Sequence, residues 1–416
     1  MQCSFCGAAY EGPYCPVCGR GAGGNVVAAA VVPAFVCARC GVPFFGPACP
    51  ACGTPVGGPM ASTEASALTG IRATGSVFWT FGMISYLALL VANLVAFAYT
   101  ANLIVQGALA GGPRYIDLYV LAPFAVGETY DVSAEVFLAY FLLIVIGIVL
   151  SYVWFGVRDG RATARTFTRP LADFRSRMES RSAWVATGQV FLASLFFQFA
   201  FILLLAAAGF EPETPGFVVP VPDWYQYFAL ANASVYEEFV ARWLFIGVPL
   251  ALIAVLLRGR LPADAPAEWR HLFGGTLTRV SPRPLLLTAA ILVPASSVVF
   301  GLAHVPAWGW WKFLPAMVAG LGMGYLFVRH GFLAGVMFHF ATDYLGALAI
   351  LAGDGLAAQI LLGLFILVLF GFGAFFLVGY GFYAVRLHRH FAGTLPPESP
   401  PAPAPVPVAG PVPTAV

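Results

Sequence analysis

Three short stretches set ionisable side chains inside otherwise apolar sequence. They are "EEFVAR", with Glu237, Glu238 and Arg242; "FGLAH", with Phe300 and His304; and "HFATD", with His339 and Asp343. A charge placed in a bilayer is costly, so such groups need partners or a purpose. Glu238 and Arg242 are four residues apart in the favourable acid-to-base order, on one helix face. Pairing them lowers the burial cost and leaves Glu237, rotated by about 100°, available for chemistry. His339 and Asp343 likewise share a face, and His304 follows Phe300 by one turn. Blander readings exist for each: a Glu–Arg pair that fixes helix packing, an interfacial histidine ahead of "VPAWGWW", a structural His–Asp hydrogen bond. All three stretches together, in separate spans of one helical bundle, point to a functional site.

A second set of reactive side chains lies at the start of the chain. All eight cysteines fall in residues 3–52, as Cys3, Cys6, Cys15 and Cys18, then Cys37, Cys40, Cys49 and Cys52. Both quartets follow C-x2-C-x8-C-x2-C, and the second repeats the first at an offset of 34 residues. Two CxxC knuckles can hold one zinc tetrahedrally, and glycine after each pair permits the tight turn. A module of about 20 residues has too little core of its own, so the metal would supply most of its folding energy. Disulfides fit poorly with paired CxxC spacing and a cytosolic N-terminus, while iron–sulfur ligation is chemically open. The reading is two structural zinc ribbons, 1–20 and 34–54, each a closed site holding one Zn2+. Neither is rich in arginine, so no nucleic-acid partner is expected; a cytosolic protein partner of the ribbons is the alternative use.

The elements that must carry the first set are membrane helices. The 416 residues are 60% hydrophobic and 10% charged, against about 25% charged in a soluble protein, with mean hydropathy +0.84. The expected fold class is an all-α polytopic membrane protein of about eight transmembrane helices, preceded by the two four-cysteine ribbons. The apolar segments are 77–105, 135–157, 184–209, 226–257, 285–303, 312–328, 332–352 and 356–385, the sixth short enough to be partly re-entrant. A flexible linker is expected over 55–76, N-terminal helices and loops over 77–225, a last helix over 356–390 and a Pro-rich tail over 391–416. No secretory signal is visible in "MQCSFCG". Seven arginines from Arg158 to Arg181, then Arg258, Arg260, Arg270, Arg279, Arg283 and Arg329, occupy every second loop, whereas the alternate loops carry Asp117, Glu128, Asp131, Glu211, Glu213 and Asp354. The positive-inside rule then puts both termini in the cytosol. On that orientation Glu237 and His304 lie toward the outer side and His339 toward the inner, so they meet only if helices tilt or spans are offset.

The ordered triplet resembles the CPBP intramembrane proteases (CAAX protease and bacteriocin-processing, or Abi, family). "EEFVAR" is similar to their EExxxR motif, "FGLAH" to FxxxH and "HFATD" to HxxxN/D, over roughly residues 226–355. The resemblance implies an endopeptidase acting on a membrane protein or lipidated peptide, with Glu237 activating the attacking water. It gives His304 the task of holding or polarising that water, His339 that of stabilising the oxyanion, and Arg242 that of pairing with Glu238. A desolvated carboxylate suits a general base, and a histidine N–H suits an oxyanion donor. Asp343 fits HxxxN/D but is less suited than asparagine to a donor role; it would have to be protonated, orient His339 or bind a metal. His304, His339 and a glutamate could ligate zinc, although no H-x3-H pair is present, and an active-site metal stays open. The competing reading is a non-proteolytic scaffold or immunity-type protein that recruits partners through the ribbons. A transporter with a proton path is weakened by the lack of an inverted repeat.

Overall fold

The structure, a computed structural model, describes residues 60–121, 124–171, 174–210, 221–261, 266–278 and 281–391, with two short strands nearer the N-terminus. The chain divides into two compact units, Met1–Gly75 with Leu171–Phe174, and Ser76–Pro170 with Arg175–Val416. In the first unit β1 (Phe35–Val36) pairs antiparallel with β2 (Pro43–Phe44), in the register Phe35↔Phe44 and Val36↔Pro43. The eight cysteines expected to hold zinc, and the Pro-rich tail beyond 391, lie outside the described residues.

Among the described residues, eight helices are long and apolar enough to cross a membrane. In chain order the helices are α1 (Met60–Leu109), α2 (Ala134–Phe167), the short α3 (Phe174–Met178), α4 (Ala183–Ala207), α5 (Asp223–Glu238), α6 (Val248–Leu256), α7 (Arg283–Trp308), α8 (Phe313–His330), α9 (Phe332–Ala352) and α10 (Leu356–Phe391). Helices satisfy every backbone group internally, as a bilayer demands. α5 and α6 form one span, Asp223–Leu256, joined by a π-helical stretch over Phe239–Gly247. Its wider turn is marked by the Val248 N–H, which donates to the carbonyl of Trp243, five residues back. Pro249 gives the reason: it has no N–H, and its ring would press on the carbonyl one α-turn earlier. Loosening the ladder there relieves the clash, on the segment that carries Arg242.

Four expectations change. α1 begins at Met60, inside the stretch expected to be a linker. The fifth span runs past residue 303 to Trp308 despite Pro306, because only the last turn lies beyond that proline; Gly309, at φ 79°, then ends the helix by donating to Val305. The sixth segment, with the turn Trp310–Lys312, is a full 21-residue span and not re-entrant. The acidic loop after α1 holds a hairpin, β3 (Tyr115–Leu121) with β4 (Ala125–Asp131), paired from Tyr115↔Asp131 to Leu121↔Ala125.

The hairpin lies at the end of the bundle shared by the C-terminus of α7 and the start of α8. At the opposite, arginine-bearing end, the loop between α6 and α7 folds back as a 3-10 turn over Glu268–Phe273. It is stitched to the end of α8: Gly275 N–H donates to Phe327 O at 2.8 Å, Leu277 N–H to Val328 O at 3.2 Å, and Arg329 Nη1 to Leu277 O at 3.0 Å. Beneath it Ile246, Leu250, Ala254, Leu277, Leu285, Ala289 and Phe327 form a buried apolar plug.

Candidate active site

The pairing of α5 with α9 and of α7 with α8 brings the three polar stretches together. Glu237 comes from the last turn of α5, His304 from near the end of α7, and His339 and Asp343 from the middle of α9. Glu237 Oε2 stands 3.9 Å from His304 Nε2 and 3.8 Å from His339 Nε2. His339 Nε2 is also 3.3 Å from Asp343 Oδ2. The continuation of α7 beyond 303 puts His304 within the helix, so the expected mismatch in depth does not arise.

Each imidazole is aimed through its other nitrogen. His304 Nδ1 meets the carbonyl of Phe300 at 2.8 Å, one turn back, which is what the FxxxH spacing provides. His339 Nδ1 meets Glu238 Oε1 at 3.1 Å. Glu238 therefore serves two partners, since its Oε2 is 3.5 Å from Arg242 Nε. Both members of that pair are fully buried. Arg242 Nη1 donates to Ser296 Oγ at 3.4 Å, Ser296 Oγ donates to the carbonyl of Ala241 at 2.6 Å, and the guanidinium lies 4.7 Å from the Phe300 ring centroid. Phe300 also meets the His304 ring at 4.7 Å and the His339 ring at 6.0 Å. One aromatic side chain thus sets three charged or chargeable groups around it.

Two cavities flank His304. The larger, 180 Å³, is lined by Tyr119, Leu121, Glu237, Phe300, His304 and Trp308, among others. The smaller, 50 Å³, is lined by His304, His339, Asp343, Lys312 and Gln198, among others. A water molecule occupies about 30 Å³ of liquid, so the larger space holds several. Glu237 and both histidines reach these spaces, whereas Glu238 and Arg242 lie behind the wall. The carboxylate left for chemistry is the first of the two. Its Oε2 is buried and borders the cavity with no direct hydrogen bond from the protein.

The structure adds residues that sequence reading missed. Ser234, one turn before Glu238, meets Asp343 Oδ2 at 3.5 Å. Lys312 sits 4.6 Å from the Trp308 ring and faces the smaller cavity. Gly335 leaves room for Glu238: a Cβ there would collide with Oε2. Tyr119 arrives from the hairpin. Its backbone N–H donates to the Tyr236 hydroxyl at 2.9 Å, and that hydroxyl donates in turn to its carbonyl at 2.9 Å. Burial, then the neighbouring Glu237 charge and a hydrogen bond to it, push the Tyr119 phenol well above its ordinary pKa. It stays a proton donor beside Glu237.

A partly buried carboxylate faces two oriented imidazoles beside a cavity lined mostly by apolar side chains, inside a helical bundle, an arrangement suited to hydrolysis within a membrane. The family model described as type II CAAX prenyl endopeptidase, Rce1-like, matches residues 221–345. This part of the chain is a CAAX-protease-like domain, and its cluster of His339, Glu237, Glu238 and Asp343 is consistent with a catalytic site for intramembrane proteolysis. No curated protein and no solved structure matches the chain. Among the described residues, no three His, Cys, Asp or Glu side chains are grouped so as to hold a metal ion.

Proposed function

We propose that the protein hydrolyses a peptide bond in a membrane-anchored or lipidated protein, with Glu237 as general base. The observation that carries this is the convergence of His304 Nε2 and His339 Nε2 on Glu237 Oε2 at 3.9 and 3.8 Å. These separations are too long for direct hydrogen bonds and suit a shared water. Glu237 takes a proton from that water as its oxygen attacks the carbonyl carbon. His304 donates from Nδ1 to Phe300 O in its neutral form, so its Nε2 accepts a hydrogen of the water and aims the oxygen lone pair. His339 has a carboxylate at each ring nitrogen and is set to carry protons on both, donating from Nε2 to the oxyanion. Asp343 orients His339, and Arg242 keeps Glu238 in place behind it.

The arginine-bearing loops support an orientation with both termini in the cytosol. The cysteine quartets are read as two structural zinc ribbons that contact a cytosolic protein; the β1–β2 pair, which brackets Cys37 and Cys40, supports a knuckle there. Metal analysis should find about two zinc ions per chain, lost on deletion of residues 1–55. Full retention after that deletion would move the metal into the bundle. For the reaction, membrane-peptide libraries incubated with purified wild type and with Glu237→Gln should give products with the wild type alone. Equal products from both would remove Glu237 from the role of base.

A further inference from the structure

The two ends of the bundle differ in what stands between the cluster and water. Toward the arginine-bearing end the way is shut by packed apolar side chains: Ile246, Leu250 and Phe327 are at most 1% exposed, and Leu277 in the folded-back loop is 3% exposed. That loop is tied to the α8 backbone by the hydrogen bonds given above. Toward the other end the larger cavity passes from Glu237 and His304 to Ala307 and Trp308 in the last turn of α7, and to Leu121 and Ala125 at the hairpin turn. Ala125 and Ala307 are exposed, so the cavity ends at the surface. His304 is four residues from the end of α7, about 6 Å along the helix axis. The hairpin bordering this mouth carries Asp117, Glu128 and Asp131, and the opposite end carries the arginine loops.

We propose that substrate enters over the β3–β4 hairpin, from the side of the membrane opposite the arginine-rich loops. The enzyme would then cut an outward-facing, membrane-anchored segment and not a cytosolic one. This inference rests on the proteolytic reading of Glu237 and on the arginine orientation, and it narrows the substrate class to chains that present the scissile bond on the non-cytosolic side. Beside that mouth β3 is fixed to α5, by the Tyr236 hydroxyl on the Tyr119 N–H and C=O and by the Tyr225 hydroxyl on the Tyr115 carbonyl, and Tyr119 and Leu121 border the cavity.

The test is cysteine labelling of the full chain in intact cells with a membrane-impermeant maleimide. Glu128→Cys reports the hairpin, Ala303→Cys reports the cavity wall beside His304, and Thr168→Cys reports the arginine end. The expected result is labelling of Glu128→Cys and Ala303→Cys in intact cells, with Thr168→Cys and the native cysteines labelled only after permeabilisation. Labelling of Ala303→Cys only after permeabilisation, or labelling of Glu128→Cys without Ala303→Cys, would overturn the proposal. The substrate arm compares two single-span reporter proteins carrying one candidate segment outside or inside the cell. The outside version should be cut about tenfold faster or more, and faster cutting of the inside version would overturn the proposal. Cleavage that survives Glu237→Gln would count against the proteolytic assignment instead, and the labelling pattern decides the side of entry independently.

Discussion

The plugged and open ends of the bundle use the same kinds of helix for opposite ends. Around Phe327 the chain spends its apolar residues on closure, and a loop with its own backbone hydrogen bonds seals the gap. Around Tyr119 a two-stranded hairpin leaves exposed Val120, Phe124 and Val126, and is held to α5 by two tyrosine hydroxyls, Tyr236 on Tyr119 and Tyr225 on the Tyr115 carbonyl. Between the two ends lies the pair of adjacent glutamates, and they divide the same way. Glu238 faces the closed interior with Arg242 and His339, while Glu237 faces the cavity. The contrast teaches that a charge is held inside this bundle by its partners, whereas the carboxylate placed for chemistry is the one that borders the cavity.

The contrast can be broken by mutation. Phe327→Ala in the plug should lower stability by about 3–5 kcal/mol, whereas Val126→Ala on the hairpin should stay within about 0.5 kcal/mol. Thermal unfolding in detergent reads both, and equal shifts would erase the difference between the ends. Glu238→Ala strips a buried guanidinium of its partner and should cost about 3–5 kcal/mol, where Glu237→Gln leaves the melting temperature nearly unchanged. A smaller effect is expected at the mouth: Tyr119→Phe removes one hydrogen bond to Glu237 and should slow cleavage about two- to tenfold, with the fold intact.

The smallest effect concerns pH at the plug. Burial pushes His271 below its usual pKa of 6.5, with Glu268 opposing and Arg270 adding to the shift. The unfolded chain therefore takes up the proton first. Stability from the neutral, buried ring is complete above the unfolded value and is lost as pH falls through the lowered folded one. Hydrogen exchange of the Glu268–Phe273 amides should be faster, relative to the intrinsic rate, at about pH 5 than at about pH 7.5. His271→Gln should remove that dependence.

The motif residues were legible because a bilayer makes ionisable side chains conspicuous and because i, i+4 spacing puts Glu238 with Arg242, and His339 with Asp343, on common faces. The eight spans followed from apolar length. What joins distant segments was hidden. Tyr119 lies 118 residues before Glu237, and nothing in "YIDLYVL" beyond its alternation announces a strand, let alone its tie to Tyr236. Gly335 reads as one more small residue until Glu238 Oε2 is seen to occupy the space of its missing side chain. The continuation of α7 through Pro306 was masked by the usual rule for proline, and it is that continuation which brings His304 to the depth of Glu237. The second role of Glu238, as partner of His339, depends on how α5 packs against α9, which sequence spacing does not encode.

The central claim is that water activated at Glu237 cuts the peptide bond. It is tested most directly by running the cleavage in water enriched in oxygen-18 and weighing the N-terminal fragment, which bears the new C-terminus. With wild type, one heavy oxygen should enter its new carboxylate, and with Glu237→Gln both the fragment and the label should fall by about 10²–10⁴-fold. Labelled fragment at the wild-type rate from Glu237→Gln would contradict the account.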